Sequence, residues 1–360
     1  MGYVAVKGGS KAIDESIKRI KYERIKDKRV IDVNDIASGM KGLIDIVMSE
    51  SSIYSKQLAS IAIKQAEGNV EEAVFLLRAY RSTLPRKYYT NIVDTRDMNV
   101  KRRISASFKD ILGGQILGTS YDYTHRLIDF SLEDESLKEI DEWIKDFEKE
   151  KGEEIKKNTL VRLPKVLDYL RKEGLLLDCE DNNEEPKDIT KSSLEFPTKR
   201  GERLQILTRG ETGGVKSLAY SALRTAGLDD HPNVGELRVG NIPLYIDGND
   251  EDDNEYYIGE IKVTEVESFI PTTVKDESGK DVRNLEIGYG LCYGQNETKA
   301  IAMSILDNCL NRKNEKYPTG NEEFVLLSID SVESSGFISH LKLPHYVTFQ
   351  SELDSMRKGE

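Results

Sequence analysis

The sequence predicts an α+β fold: a helical N-terminal half, then a mixed, largely antiparallel β-sheet with helices in the C-terminal half. Three observations predict it. In the first half, apolar residues recur at the three- and four-residue spacing of amphipathic helices. From about residue 236 the period falls to two, with β-branched and aromatic residues between turn signals. A helical period returns at 296–312, and no repeat of 20–50 residues runs through the chain.

In order, "YVAVKGG" (3–9) reads as a short strand closed by two glycines. Ser10 is a candidate N-cap for a helix from Lys11, with Ile13, Ile17, Ile20 and Arg24 along one side. Seven basic and two acidic residues in 18–29 give that helix a basic face, solvated or partner-facing, with phosphate contact as the alternative. A helix over 52–66 aligns Leu58, Ile61, Ala62 and Gln65, and one over 69–84 aligns Val70, Ala73, Val74, Leu77 and Tyr80 before Pro85 stops it. A charged helix over 132–154 carries Leu137, Ile140, Ile144 and Phe147 at helical spacing. "LVRLPKVLDYLRKEGLL" (160–176) reads as a short helix with loops, and "CEDNNEEPKD" (179–188) as a polar loop. Three strands follow in "GELRVGNIPLYI", "EYYIGEIKVTEVESF" and "LEIGYGLCYG", the first two separated by the acidic loop "GNDEDDNE" (248–255). Asn296 caps the returning helix, and "EEFVLLSID" (322–330) reads as a buried strand. The resulting division is a mainly helical unit (1–131), a charged helical link (132–158) and an α+β unit (159–360).

Composition narrows the class. The chain has 360 residues, 38% apolar and 32% charged, which suits about two globular domains. The net charge of −12 repels polyanions on average, so nucleic acid is not an expected partner. No run approaches the roughly 20 apolar residues of a membrane span. The first residues contain no apolar signal core, so the expected location is the cytoplasm, and Val6 stands where myristoylation needs Ser or Thr. Cys179, Cys292 and Cys309 are isolated, which argues against a disulfide framework, a four-cysteine zinc site or an iron–sulfur cluster held by this chain alone. Packing in the core is their expected role.

Two of the four histidines, His340 and His345, lie in "SHLKLPHYV". On a helix, residues five apart diverge by about 140°, and on a strand they face opposite ways. Pro344 blocks a continuous helix, so a turn through Lys342, Leu343 and Pro344 can bring both imidazoles to one cation. Two unrelated polar side chains beside a loop is the alternative. Two imidazoles do not complete a tetrahedral zinc site.

Gly113 and Gly118 have the glycine spacing of a Walker A loop, but Thr119 occupies the lysine position, so this is not a P-loop. A turn built on Gly113, Gly114 and Gly118 could still offer backbone N–H groups to a phosphate, or simply pack. Asp122 and His125 are three apart and would share one face of a helix, where the carboxylate could orient the imidazole. Arg126, Arg102 and Arg103 are candidate anion ligands, or surface ion-pair partners. His231 precedes Pro232, in an extended or turn conformation. Glu236 and Arg238 point the same way on a strand, and Glu260 is a second strand carboxylate. "GYGLCYG" lacks the G-x-G-x-x-G spacing and a βαβ setting, so its glycines read as close-packing positions.

Taken together, "YVAVKGG" (3–9), "AVFLLRAYRSTL" (73–84), "RRISASFKDILGGQILGTSYDYTHRLIDF" (102–130), "HPNVGELRVG" (231–240), "GYGLCYG" (288–294) and "EEFVLLSID…GFISHLKLPHYVTFQSEL" (322–353) resemble the PhnI family, a subunit of the carbon–phosphorus lyase core complex. The resemblance implies that, with partner subunits PhnG, PhnH and PhnL, a phosphonate replaces the purine of MgATP at ribose carbon 1, giving a ribose 1-phosphonate 5-triphosphate. Alone, such subunits are nucleosidases on ATP or GTP. Cleavage of the C–P bond belongs to PhnJ, and two copies of this chain are expected per complex. The resemblance also implies zinc on His340 and His345 at the boundary with PhnJ, and Mg2+ with the triphosphate. In that chemistry His125, with Asp122, would protonate the departing purine. Glu236 or Glu260 would stabilise positive charge at the ribose or deprotonate water. Arg102, Arg103, Arg126, Gly113, Gly114 and Gly118 would contact the triphosphate. Two other readings stay open: a non-catalytic assembly scaffold lending two histidines to a neighbour's site, and an independent metallohydrolase, which needs a third ligand within this chain.

Overall fold

A computed structural model describes residues 9–156, 162–176, 185–225, 231–248, 255–275, 278–314 and 316–359. The strand expected at 3–9, except for Gly9, and most of the loops at 179–188 and 248–255 lie outside the described residues.

Five helices come first: α1 (Gly9–Ile25), α2 (Val33–Gly39), α3 (Lys41–Ser51), α4 (Lys56–Gln65) and α5 (Val70–Ser82). The Ser55 hydroxyl caps α4 by accepting the Leu58 N–H at 3.3 Å, and the Asn69 side chain caps α5 by accepting the Glu72 N–H at 3.0 Å. Helices α2 to α5 share a core of Ile36, Ile44, Val47, Met48, Ile63 and Leu77. The inward face of α4 is Ala59, Ala62 and Ile63, one residue round from the expected stripe, and Ile61 is exposed. On α5 the expected Ala73, Val74 and Leu77 are buried, whereas Tyr80 is exposed. Helix α1 starts at Gly9, ahead of the expected Ser10 cap, and buries no residue.

Next come β1 (Asn99–Ile104), α6 (Leu137–Lys156), α7 (Val166–Lys172), α8 (Arg200–Arg209), α9 (Thr212–Arg224), β2 (Asn233–Asp247), β3 (Glu255–Lys275) and β4 (Asp281–Tyr293). The four strands form one antiparallel sheet in the order β1-β2-β3-β4. Strand β1, from within the segment 1–131, is thus an outer strand of the C-terminal sheet. Leu137, Ile140, Ile144 and Phe147 of α6 are exposed, and Trp143 stacks on Phe147 at 5.2 Å.

The chain closes with α10 (Glu297–Arg312), α11 (Glu322–Ser328), α12 (Ser331–His340) and α13 (Tyr346–Lys358). The strand expected at 322–330 is therefore a helix. The Asn321 side chain caps it by accepting the Phe324 N–H at 2.9 Å, and it buries Val325 and Leu326 while Phe324 and Leu327 face outward. A short apolar run does not distinguish the two states, so the cap and the local contacts decide.

One face of the sheet lies on α10, whose cap is Asn296 as expected. Leu237, Val266 and Cys292 meet Ala300, Met303, Leu306 and Leu310 there, with α8, α9 and α11 around them. Each Leu, Val or Met side chain among them contributes about 1.5–3 kcal/mol on burial, and Ala300 and Cys292 contribute less. Gly288 and Gly290 let α10 come this close, since a Cβ on either would collide with the carbonyl of Ser304 or Ala300. Cys292 and Cys309 are buried and free. The helical half is bound to the sheet by the Lys262 N–H donating to the Tyr54 hydroxyl at 2.8 Å and the Gln295 N–H donating to Asp45 at 2.8 Å. No helix among the described residues is long and apolar enough to cross a membrane.

Candidate functional site

The histidine pair sits where α12 turns into α13. Pro344 stops α12 from continuing. Three turn bonds close the corner: Leu341 N–H to Ile338 O, Lys342 N–H to Ser339 O and Leu343 N–H to His340 O, at 3.0 to 3.2 Å. The two Nε2 atoms are 3.1 Å apart, and the rings stand at 83° to one another. His345 Nδ1 lies 2.6 Å from the Leu343 carbonyl, so it carries the proton and leaves Nε2 with the lone pair. His340 Nδ1 is buried without a partner. Two nitrogens on one tetrahedral zinc ion lie about 3.3 Å apart, given Zn–N bonds of about 2.0–2.1 Å. Spacing and donor type therefore fit two zinc ligands, and the same separation also suits an N–H···N bond between the rings. Among the described residues no group of three or more His, Cys, Asp or Glu could hold a metal.

The glycine turn and the basic pair of β1 form a second constellation. Gly113, Gly114 and Gly118 all have positive φ, which frees the chain to wrap back on β1. The turn meets the two arginines with its carbonyls. Arg103 Nη1 donates to Leu112 O at 2.6 Å, and Arg102 Nη1 donates to Leu117 O at 2.5 Å. Arg102 also pairs with Asp122 at 2.6 Å and Glu297 at 2.9 Å. Both arginines are buried and ion-paired within the chain.

Asp122 and His125 do not share a helix. A single 3-10 turn covers Tyr121–Tyr123, and the chain then runs on irregularly. The Asp122 carboxylate goes instead to Arg102, with Arg126 at 3.6 Å. His125 and Arg126 are exposed, and Arg126 has a φ of 55°. His231, also exposed, bonds the Pro232 carbonyl through Nδ1 at 2.8 Å.

The sheet face turned away from α10 carries a buried ionic network. Glu236, 2% exposed, accepts Arg103 Nε at 2.5 Å and the Val166 N–H at 3.0 Å. Arg238 pairs with Glu265 at 2.5 Å, and Lys165 bridges Glu265 and Glu267 at 2.9 and 2.8 Å. The Tyr289 hydroxyl donates to Glu265 at 2.9 Å. Burial disfavours the Glu265 anion, but Arg238 and Lys165 outweigh it and hold that carboxyl below its usual range. Burial pushes Glu267 up to about 7 against the pull of Lys165, with the Glu265 charge adding to the rise. Glu260 lies on the same sheet but is exposed, bonded to the Asn241 side-chain amide. Lys165, Glu265 and Glu267 were not singled out by sequence reasoning. Their signal was "TEVES", two carboxylates two apart in a strand whose intervening residues are apolar or small.

The sequence model of the family described as "Bacterial phosphonate metabolism protein (PhnI)" matches residues 2–360. The chain is 40% identical over 367 residues to the alpha-D-ribose 1-methylphosphonate 5-triphosphate synthase subunit PhnI of Rhizobium meliloti (strain 1021), covering 99% of this chain and 94% of that one. It is 40% identical over 369 residues to the protein of the same name from Escherichia coli (strain K12), covering 99% and 98%. It is 39% identical over 363 residues to the putative C-P lyase subunit protein HtxH of Stutzerimonas stutzeri, covering 99% and 95%.

Proposed function

The chain belongs to the PhnI family of bacterial phosphonate metabolism proteins, and on that premise we propose that it is a subunit of a synthase that exchanges the adenine of MgATP for a phosphonate. The product is a ribose 1-phosphonate 5-triphosphate. The observation that carries this reading is the 40% identity to two named synthase subunits over 99% of the chain. A match of that extent is to the whole subunit, not to one shared module.

In this reading the chain works in the cytoplasm, as two copies in a complex with PhnG, PhnH, PhnL and PhnJ-like subunits. Alone it releases the purine of ATP or GTP to water. Exposed apolar faces on α1, with Ile13, Ile17 and Ile20, and on α6, with Trp143 and Phe147, give those subunits surfaces to cover. Zinc would rest on His340 and His345, with its remaining ligands from water, substrate or a partner; there it would polarise a bound oxygen. Mg2+ would accompany the triphosphate.

Displacing a purine needs a proton for the leaving base and negative charge near ribose carbon 1. His125 is exposed and unbonded among the described residues, so it can reach a ligand as proton donor. Asp122 holds Arg102 and Arg126 in place around that segment. Of the two carboxylates, Glu260 is open to solvent, whereas both oxygens of Glu236 are engaged. Glu260 is thus the carboxylate able to face the ribose, and Glu236 acts through Arg103.

Adenine release from MgATP by the purified chain tests this reading. His125→Ala should lower it about 100-fold or more, the usual contribution of a general acid, and Glu260→Gln should lower it as well. Release that persists through both variants and through substitution of Asp122 and Glu236, then disappears on further purification, would instead favour a non-catalytic scaffold lending two histidines to a neighbour.

A further inference from the structure

A cleft of roughly 870 Å³ opens between the ends of α5 and α8 and strand β4. That is within the range of small-molecule sites, about 300–1,000 Å³. Three arginines line it, Arg81, Arg86 and Arg209, against two carboxylates, Glu185 and Asp188. In a chain of net charge −12 this is a local excess of positive charge.

The arginines differ in what they bind. Arg78, one turn before Arg81, is fully engaged: Nη1 donates to both oxygens of Asp330 at 2.7 and 2.8 Å, Nε to Glu50 O and Nη2 to Arg209 O. Arg86 pairs with Asp188 at 2.9 Å. Arg81 and Arg209 have no ion-pair partner among the described residues, and Arg81 Nη1 and Arg209 Nε are buried without any hydrogen bond. Burial and the mutual repulsion of the cluster lower both, Arg209 to about 10, against a weaker pull from Asp188 on both and from Asp330 on Arg209, but a guanidinium stays charged. Each of these half-buried guanidinium groups thus holds one buried N–H without an acceptor, beside a third arginine, which is unfavourable in the free protein. A ligand with several oxyanions removes that cost. Leu291, Tyr293 and Met303 give the cleft an apolar wall as well.

We propose that this cleft binds the polyphosphate chain of a nucleoside triphosphate, with Arg81 and Arg209 as its phosphate ligands and Arg86 at the rim. The assignment of a nucleotide rests on the synthase reading above; the anion site itself rests on the arginines. Arg102 and Arg103 do not line it and are ion-paired with Asp122, Glu297 and Glu236 inside the fold.

Thermal unfolding and calorimetric titration of the full chain with inorganic tripolyphosphate, MgATP, methylphosphonate and adenosine test it. Tripolyphosphate and MgATP should raise the melting temperature, and methylphosphonate and adenosine should do so far less. Arg81→Met and Arg209→Met should each weaken tripolyphosphate about 10- to 100-fold, the worth of a charge-assisted bond. Neither should melt far below the wild type without ligand, since neither makes an ion pair among the described residues and each leaves one buried N–H without an acceptor, whereas an arginine with a merely structural role would melt lower. Arg224→Met, an exposed residue at the end of α9, removes the same charge and should leave binding unchanged. Unaltered tripolyphosphate binding in both cleft variants overturns the proposal, as does absence of binding by the wild type. The synthase reading is scored separately, by adenine release. Arginine-dependent binding without adenine release supports the anion site while refuting the nucleosidase part of that reading, and release by a protein indifferent to both substitutions does the reverse.

Discussion

His340 and His345 approach through their Nε2 atoms to 3.1 Å across the corner between α12 and α13. The Leu343 carbonyl fixes the His345 tautomer that leaves Nε2 free to ligate. Equilibrium dialysis with Zn2+ should detect one ion per chain, and His340→Ala or His345→Ala should each weaken it at least about tenfold. Equal zinc binding by the double variant would leave the contact as a ring–ring hydrogen bond.

The Arg103–Glu236 pair is 0% and 2% exposed, so removing one partner strands a buried charge. Glu236→Gln should cost about 3–5 kcal/mol, read by chemical denaturation, because Arg103 then has no anionic partner and a single amide oxygen cannot serve both Arg103 Nε and the Val166 N–H. A variant of native stability that has lost adenine release would instead place Glu236 at the substrate.

Glu267 predicts a pH dependence of stability. Its folded carboxyl titrates at about 7, above the usual 4.5. Below about pH 4.5 it is protonated in both states and its contribution is fully present. As pH rises towards 7 the unfolded chain releases the proton first, so stability falls, by up to about 3 kcal/mol, and levels off above that. Glu265, shifted downward, acts in the opposite sense and only at more acid pH. Denaturation curves between pH 4.5 and 8 should show Glu267→Gln with a flatter decline than the parent; identical slopes would contradict the assignment.

Gly288 and Gly290 are fixed by the approach of α10. Gly288→Ala would drive a methyl group into the Ser304 carbonyl, which is backbone and cannot rotate away. A loss of about 3 kcal/mol is expected, at the upper end of overpacking costs, measured as a lowered denaturation midpoint.

The helices α4, α5 and α10, the strands β2 to β4 and the turn at Pro344 were legible because their signals are local: period, caps and a proline. The helix α11 was misread as a strand because seven residues of "EEFVLLS" carry too little period to separate the two. The stripes on α1 and α6 were legible as helices, but sequence does not say whether an apolar face meets its own fold; here both face outward. Arg102 and Arg103 read as anion ligands by residue type, yet their partners Glu297 and Glu236 lie far along the chain. Long-range pairing of that kind has no period to detect. The cleft arginines were missed for the same reason, since Arg81 and Arg209 meet only in three dimensions.

The most direct test of the synthase assignment is to assemble the complex with and without this chain and supply MgATP and methylphosphonate. Chromatography and 31P NMR then follow adenine and the ribose 1-phosphonate. The account predicts equal amounts of both products only when this chain is present, and a complex lacking it that still forms them at the full rate would contradict it.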